Sequence, residues 1–310
     1  MSDRVLLDAA DAYPEVAKVR AALAVRDWPA VRELVDAAGA AGRSMLLRYG
    51  ADGDDLEEFL RAVVAGDPED TAAVAMLGMH LIGVGWAVRT GYRAEHVSRA
   101  QFAAFHGWLR KAEVVLLDGV ARRPGDPALW VARLTSARGL ELGQAESGRR
   151  YGKLAALDPH HLPGQVQFLQ QLCPKWGGTW ERLHEWTREA MLAAEPGSLQ
   201  AYLVVDGHWE RWLDLGDGGT AYLRSVRGQI EEAAERSVLH PDFRRDYGWV
   251  SVVSGFAMAF CLLRDRERAA AMFRMLGDLG TELPWAYLHH DVAATIRARR
   301  AWALRDEGKR

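Results

Sequence analysis

Cysteine is nearly absent from this 310-residue chain: only Cys173 and Cys261 occur, far apart and in no CxxC arrangement. That excludes a disulfide framework and points to a reducing cytoplasm. An excess of one charge is missing too. The 39 basic and 42 acidic residues leave a net charge of −3, without the basic balance that nucleic-acid binding asks for. Met1-Ser2-Asp3-Arg4-Val5-Leu6-Leu7-Asp8 has no basic region leading into an apolar run, so no signal peptide is expected. Two apolar stretches, Ala72–Val88 and Tyr247–Leu263, are interrupted by glycine, serine or His80. Both fall short of the 18 or so strongly apolar residues of a bilayer span and read as buried helices. No stretch alternates β-branched and polar residues in the manner of a strand.

Catalytic signatures are equally scarce. There is no GxSxG, no Walker A and no GxGxxG after a strand. His184-Glu185 lacks the second histidine of HExxH. His160-His161 and His289-His290-Asp291 are adjacent pairs that point to different helix faces, so no metal site is expected. Carboxylate pairs such as Asp54-Asp55 and Glu231-Glu232 read as exposed, and no cofactor is implied.

What the chain does have is proline punctuation. Asp67-Pro68, Asp126-Pro127, Asp158-Pro159, Glu195-Pro196 and His240-Pro241 separate helix-length blocks rich in Ala, Leu, Arg and Glu. Proline has no N–H and clashes with the preceding turn, so it closes one helix or opens the next. The Asp-Pro at 126 recurs 32 residues later, at 158, close to the period of about 34 residues of tetratricopeptide helix hairpins. Tyr151–Asp158 and Ala269-x3-Phe273 match the small-and-aromatic pattern of such units, although their Trp, Leu-Gly, Tyr first-helix signature is missing. The expected fold is all-α: a single α-solenoid over 1–310 of degenerate tetratricopeptide-like hairpins.

The spacing predicts helices at Pro14 to Arg26, at Trp28 to Ala38, and from an Asp54 or Asp55 cap to Gly66. Two long ones follow, Glu69 to Arg89 and Ser98 to Arg123, the second capped by Ser98. Further helices are predicted in the Asp126–Asp158 hairpin, at Pro163–Cys173, Thr179–Ala194, Ser198–Leu215, Tyr222–Leu239, Asp242–Leu263 and Arg266–Leu279, with a last one from about Pro284. Gly39 and Gly42 read as loosening the end of the second helix.

One segment is sharper than the rest. Pro174-Lys175-Trp176-Gly177-Gly178 joins two predicted helices, and Gly85-Trp86-Ala87-Val88-Arg89-Thr90-Gly91 lies upstream with Phe102, Phe105 and Arg110-Lys111. Together they resemble a bacterial family of tetratricopeptide-like proteins with no assigned activity, marked by a Pro-x-Trp-Gly-Gly loop and a Trp-Ala-x-Arg-Gly stretch. The loop matches in full; the upstream stretch departs by Thr90, inserted before Gly91. The resemblance spans roughly 28–215 and implies the helical fold, while 216–310 rests on periodicity.

The residues expected to bind are Arg89, His106, Lys175, Trp176, Trp180, Trp209 and Trp212. A glycine pair lets the backbone take positive φ and approach its neighbours, placing two indoles and Lys175 around a ligand. Arg89 offers a planar fork for a carboxylate or phosphate. The 12 tryptophans serve the core at most positions, but Trp209 and Trp212, beside His208, Glu210 and Arg211, have polar surroundings. His80 and His106 read as core histidines or, for His106, as part of a pocket. Two functions follow. The first is a non-catalytic cytoplasmic scaffold that holds a peptide or protein partner, or a second copy of itself, with Trp176, Lys175 and Arg89 lining one cavity. The alternative is an enzyme or small-molecule sensor with a pocket between the two long helices.

Overall fold

A computed structural model of the protein describes residues 4–90 and 96–305, which places Gly91 outside the described residues. It is all-helical. Among the described residues there is no strand, only one bridge between Leu6 and Leu279. The chain divides into two compact units, Pro14–Gly178 and Met1–Tyr13 with Thr179–Arg310.

The first unit holds α2 (Pro14–Ala24), α3 (Trp28–Asp36), α4 (Gly39–Gly50), α5 (Glu57–Gly66), α6 (Thr71–Arg89), α7 (Arg99–Arg122), α8 (Pro127–Gly139), α9 (Gly143–Leu157) and α10 (Leu162–Leu172). Side-chain caps set the starts. Asp27, Asp70 and Asp126 each accept a backbone N–H from the first turn of α3, α6 and α8. Ser98 forms a full capping box with Gln101 at the start of α7. Two expectations need correction. Leu56, not Asp54 or Asp55, occupies the cap of α5 and makes no side-chain bond. Gly39, with φ 65°, opens a separate helix, α4, rather than loosening α3.

Helices α2, α4, α6, α8 and α10 pack in succession, and α4 also reaches α8 and α10. The antiparallel α6–α7 pair is the most extensive contact. Helix α6 is 19 residues long with a mean hydropathy of 1.6, long and apolar enough to cross a membrane, which corrects the shorter sequence estimate. Here 67% of it is buried, including every residue from Ala72 to Ile82. Between α7, α8 and α9 the unit buries charge: Glu113 meets Arg133, Ser136 and Arg150.

The second unit holds α1 (Ala9–Ala12), α11 (Trp180–Ala193), α12 (Tyr202–Leu215), α13 (Gly219–Ser225), α14 (Arg227–Arg236), α15 (Trp249–Leu262), α16 (Arg266–Leu276) and α17 (Val292–Leu304). Its core is α15, which buries Val252, Val253 and the Phe256–Phe260 stack. The predicted Asp242–Leu263 helix begins only at Trp249, after Gly248 at φ 100°. The N-terminal segment threads into this unit. Leu6 exchanges backbone bonds with Asp278 and Gly280 at 2.8 and 2.9 Å. The Tyr13 hydroxyl accepts from the Gly248 N–H at 3.0 Å, and Arg300 donates to the Arg4 carbonyl.

Candidate functional site

In the first unit the predicted residues gather around the C-terminal end of α6. Arg89 sits on the last turn, its guanidinium carbon 5.4 Å from the Trp86 ring centre and 5.6 Å from that of Phe102. Trp86 tilts onto Phe105 at 4.7 Å and meets Trp176 edge-on at 6.5 Å. Arg138 of α8 reaches the other end of the row, 6.0 Å from the Trp176 ring, and donates to the Gln167 side-chain oxygen at 3.0 Å. Lys111 lies 3.9 Å over the Trp108 ring. Each of these is a cation–π contact within the attractive range. His106 packs against Phe102 and Phe105, and among the described residues its buried Nε2 has no hydrogen-bond partner. The structure thus brings Arg89, His106 and Trp176 into one aromatic run, joined through Trp86 and the two phenylalanines. Lys175 is exposed beside Trp176. His80 is the core histidine expected, bonded to the Ala51 carbonyl at 2.9 Å.

The Pro174–Gly178 loop fixes Trp176. Pro174–Trp176 forms a single 3₁₀ turn, closed by Gly177 at φ 83°. The Trp176 carbonyl accepts from Gln144 Nε2 at 2.9 Å and Gln171 Nε2 at 3.0 Å. A β-carbon on Gly178 would lie 2.0 Å from the Leu172 carbonyl oxygen, so no other residue fits this backbone. The same unit has an open cleft of about 790 Å³ near Asp36, Arg43, Thr71 and Asp126. Its charges are turned on one another: Asp126 takes Arg43 at 2.8 Å and the Thr71 hydroxyl at 2.6 Å.

The other predicted tryptophans belong to the second unit. Trp209 is 1% exposed. It therefore packs in the core and presents nothing to a partner, contrary to expectation. Trp212 meets it edge-on at 5.8 Å. Trp180, in the first turn of α11, stacks on His184 at 6.2 Å, and this contact leads to a cluster that sequence reasoning did not assemble. The Tyr222 hydroxyl sits between two imidazoles, 2.6 Å from His208 Nδ1 and 3.1 Å from His184 Nε2. His208 Nε2 is 3.2 Å from the Gln229 side-chain oxygen. That oxygen only accepts, which assigns the His208 proton to Nε2 and leaves Nδ1 to accept from Tyr222. The chain therefore runs from the His184 N–H to the Tyr222 hydroxyl to His208 and on to Gln229. Among the described residues, the buried Nδ1 of His184 has no hydrogen-bond partner.

Electrostatics keep the cluster neutral. Burial, then the nearby Arg211 charge, pushes His184 down to about 4, against a smaller opposing effect of Glu181. Burial and the neighbouring His184 take His208 down to about 3. Burial raises the Tyr222 phenol to about 12, with Arg211 acting in the opposite direction. The phenol's donor and one lone pair are taken by the two rings, and Arg211 adds a further hydrogen bond to the oxygen, so the arrangement locks Tyr222 in place rather than arming it for proton transfer. Among the described residues, no group of three or more His, Cys, Asp or Glu side chains could hold a metal ion.

Compared with family models, curated proteins and solved structures, the chain matches none of them.

Proposed function

We propose that the chain is a non-catalytic binding protein, a stack of degenerate tetratricopeptide-like hairpins that takes up an acidic segment of a partner protein. The observation that carries the reading is an excess of positive charge between Thr71 and Ala112 of the α6–α7 hairpin. From Thr71 to Ala112 the sequence carries five cationic residues, Arg89, Arg93, Arg99, Arg110 and Lys111, against one acid, Glu95. Trp86, Phe102, Trp108 and Trp176 are interleaved with those cations, two of which lie over their rings. Partly buried aromatics flanked by arginine are the composition of interface hot spots, and unlike charge steers the encounter. The succession α2, α4, α6, α8, α10, with the intervening helices beside it, supports the hairpin-stack reading. The resemblance of the Pro174–Gly178 loop to the Pro-x-Trp-Gly-Gly family belongs to the same proposal. So does a cytoplasmic setting, supported by two buried cysteines that lie outside any disulfide.

Fluorescence anisotropy with labelled Glu-rich, Lys-rich and uncharged peptides of equal length tests it. The Glu-rich peptide should bind, and Arg110→Glu with Lys111→Glu should weaken it by about tenfold or more with the melting temperature unchanged. Binding that ignores peptide charge, or survives the double reversal, overturns the proposal.

A further inference from the structure

Helix α7 carries apolar residues on two opposite sides. Phe105, Leu109, Ala112 and Leu116 are buried where α7 packs on α6 and α8. A surface helix ordinarily sets polar residues opposite such a stripe. The opposite side of α7 instead reads Gly107, Arg110, Val114, Leu117 and Ala121, in alternating steps of three and four residues. That is the a/d rhythm of a coiled-coil seam. It faces solvent: Val114 is 70% exposed and Leu117 48%. Arg110 is the one charge in the row.

The charges beside the seam select its occupant. Lys111 and Asp118 are both exposed and stand seven residues apart, hence on one flank of the seam, one above the other. A two-fold axis crossing between Val114 and Leu117 would lay a second α7 antiparallel on the first. Such an axis sets that flank against its own copy with the order of charges inverted. Each Lys111 then meets the partner's Asp118, and each Val114 meets the partner's Leu117. Arg110 lies over the partner's Ala121, whose methyl leaves room for its stem while the guanidinium stays in water. A parallel pair would exchange the flanks and set Lys111 against the partner's Arg110, like charge on like. The pattern is therefore complementary to itself in one direction only.

We propose that this outer face of α7 docks a second copy of the chain, in an antiparallel α7–α7 pair. The contact is isologous: one patch serves both copies, so it closes at two and builds no filament. The matched stretch is two heptads, about 21 Å of helix, which makes the dimer a weak and concentration-dependent one. Inside each chain Lys111 lies over the Trp108 ring at 3.9 Å, and Asp118 takes Arg122 at 2.9 Å. Both contacts hold the two charges on the flank where the partner meets them. The inference goes beyond the acidic-peptide reading and shares Lys111 with it, so a peptide and a second copy compete for that cation.

Sedimentation equilibrium of the full-length protein, without peptide and over a concentration series, tests it. The mass should rise from 34.4 kDa toward twice that value. Val114→Glu puts a carboxylate opposite the partner's Leu117 and should abolish the rise; Leu117→Ser gives a second reading if that variant does not fold. Lys111→Asp and Asp118→Lys should each weaken association by about tenfold or more. The exchanged variant Lys111→Asp/Asp118→Lys should regain it. That variant loses the Trp108 and Arg122 contacts of both residues, so the recovery must come from across the interface. Folding of each variant is read from its far-ultraviolet spectrum. The proposal is overturned by a single-chain mass at every concentration. It is equally overturned by a dimer that ignores Val114→Glu and the charge reversals, or by an exchanged variant that stays monomeric. Asp118→Lys removes the dimer but keeps every cation of the acidic-peptide reading, so the two proposals fail separately.

Discussion

Glu113 and Arg150, on α7 and α9, meet in a two-pronged ion pair, with both guanidinium termini on the carboxylate at 2.7 and 3.0 Å. Burial alone would raise the Glu113 carboxyl. Hydrogen bonds from Arg150 and Ser136, with the charges of Arg150 and Arg133, outweigh that and hold it below its ordinary range. Arg133 and Arg150 are 4% and 2% exposed, so their charges need buried partners: Glu113 for Arg133, and Glu113 with Glu146 for Arg150. Glu113→Ala should destabilise the first unit by about 3–5 kcal/mol, because it strands the buried Arg133 and leaves Arg150 with Glu146 alone. Replacing Glu113, Arg133 and Arg150 together by Leu, Met and Met should recover most of that loss. Denaturant unfolding of the single and triple variants checks both.

The Pro174–Gly178 loop gives a second prediction. Gly177→Ala keeps the backbone but places a β-carbon in left-handed geometry, at a cost of about 1 kcal/mol. Gly178→Ala cannot keep the backbone, since the new carbon would sit 2.0 Å from the Leu172 carbonyl oxygen. It should cost more than Gly177→Ala and should release Trp176, read as a red shift and loss of intensity in tryptophan emission. Equal stability of the two variants would show that the loop relaxes around the added methyl.

Acid should unfold the second unit through its histidines. His184 and His208 are neutral in the fold, with values of about 4 and about 3, against 6.5 for a free imidazole. The unfolded chain takes up protons first, so their contribution is complete above about pH 6.5 and is lost as pH falls toward 4 and 3. In the first unit, Glu146 acts in the same direction at lower pH. Hydrogen bonding to Arg149, and to Arg150, brings it down to about 2, so its contribution fades as pH falls from about 4.5. His184→Gln and His208→Gln should each lower the melting temperature at pH 7. Each should also flatten the pH dependence between 6.5 and 4, by up to about 1.4 kcal/mol per pH unit. Thermal melts across that range decide it.

Much of the helical layout was legible because its signals are local. Asp27, Asp70, Ser98 and Asp126 announce helix starts through their own side chains, and the long pair α6–α7 follows from uninterrupted spacing. Helix α4 was missed because Gly39 and Gly42 look like breakers, yet Gly39 supplies the turn and Gly42 is buried on the inner face. The site divides in the same way. Trp86, Arg89 and Trp176 stand in recognisable motifs, and the glycines beside Trp176 explain their own necessity. The Tyr222 cluster draws on α11, α12, α13 and α14, with partners 14 to 38 residues apart. The three- and four-residue steps His208–Arg211 and Trp180–His184 were visible, but only tertiary packing puts Tyr222 between them. The Tyr13–Gly248 bond, 235 residues apart, left no local trace.

The burial of α6 also bears on how the protein is made. Two of the helices that sheathe it, α7 and α8, follow it in the chain and end at Arg122 and Gly139. A ribosome that has released α6 but not these two holds out an oily rod of bilayer length. Synthesis therefore passes through a stage of maximum stickiness that ends only when Gly139 has emerged. Fragments cut between Arg89 and Gly139 are aggregation-prone clients of chaperones, whereas pieces ending before Thr71 are spared that hazard.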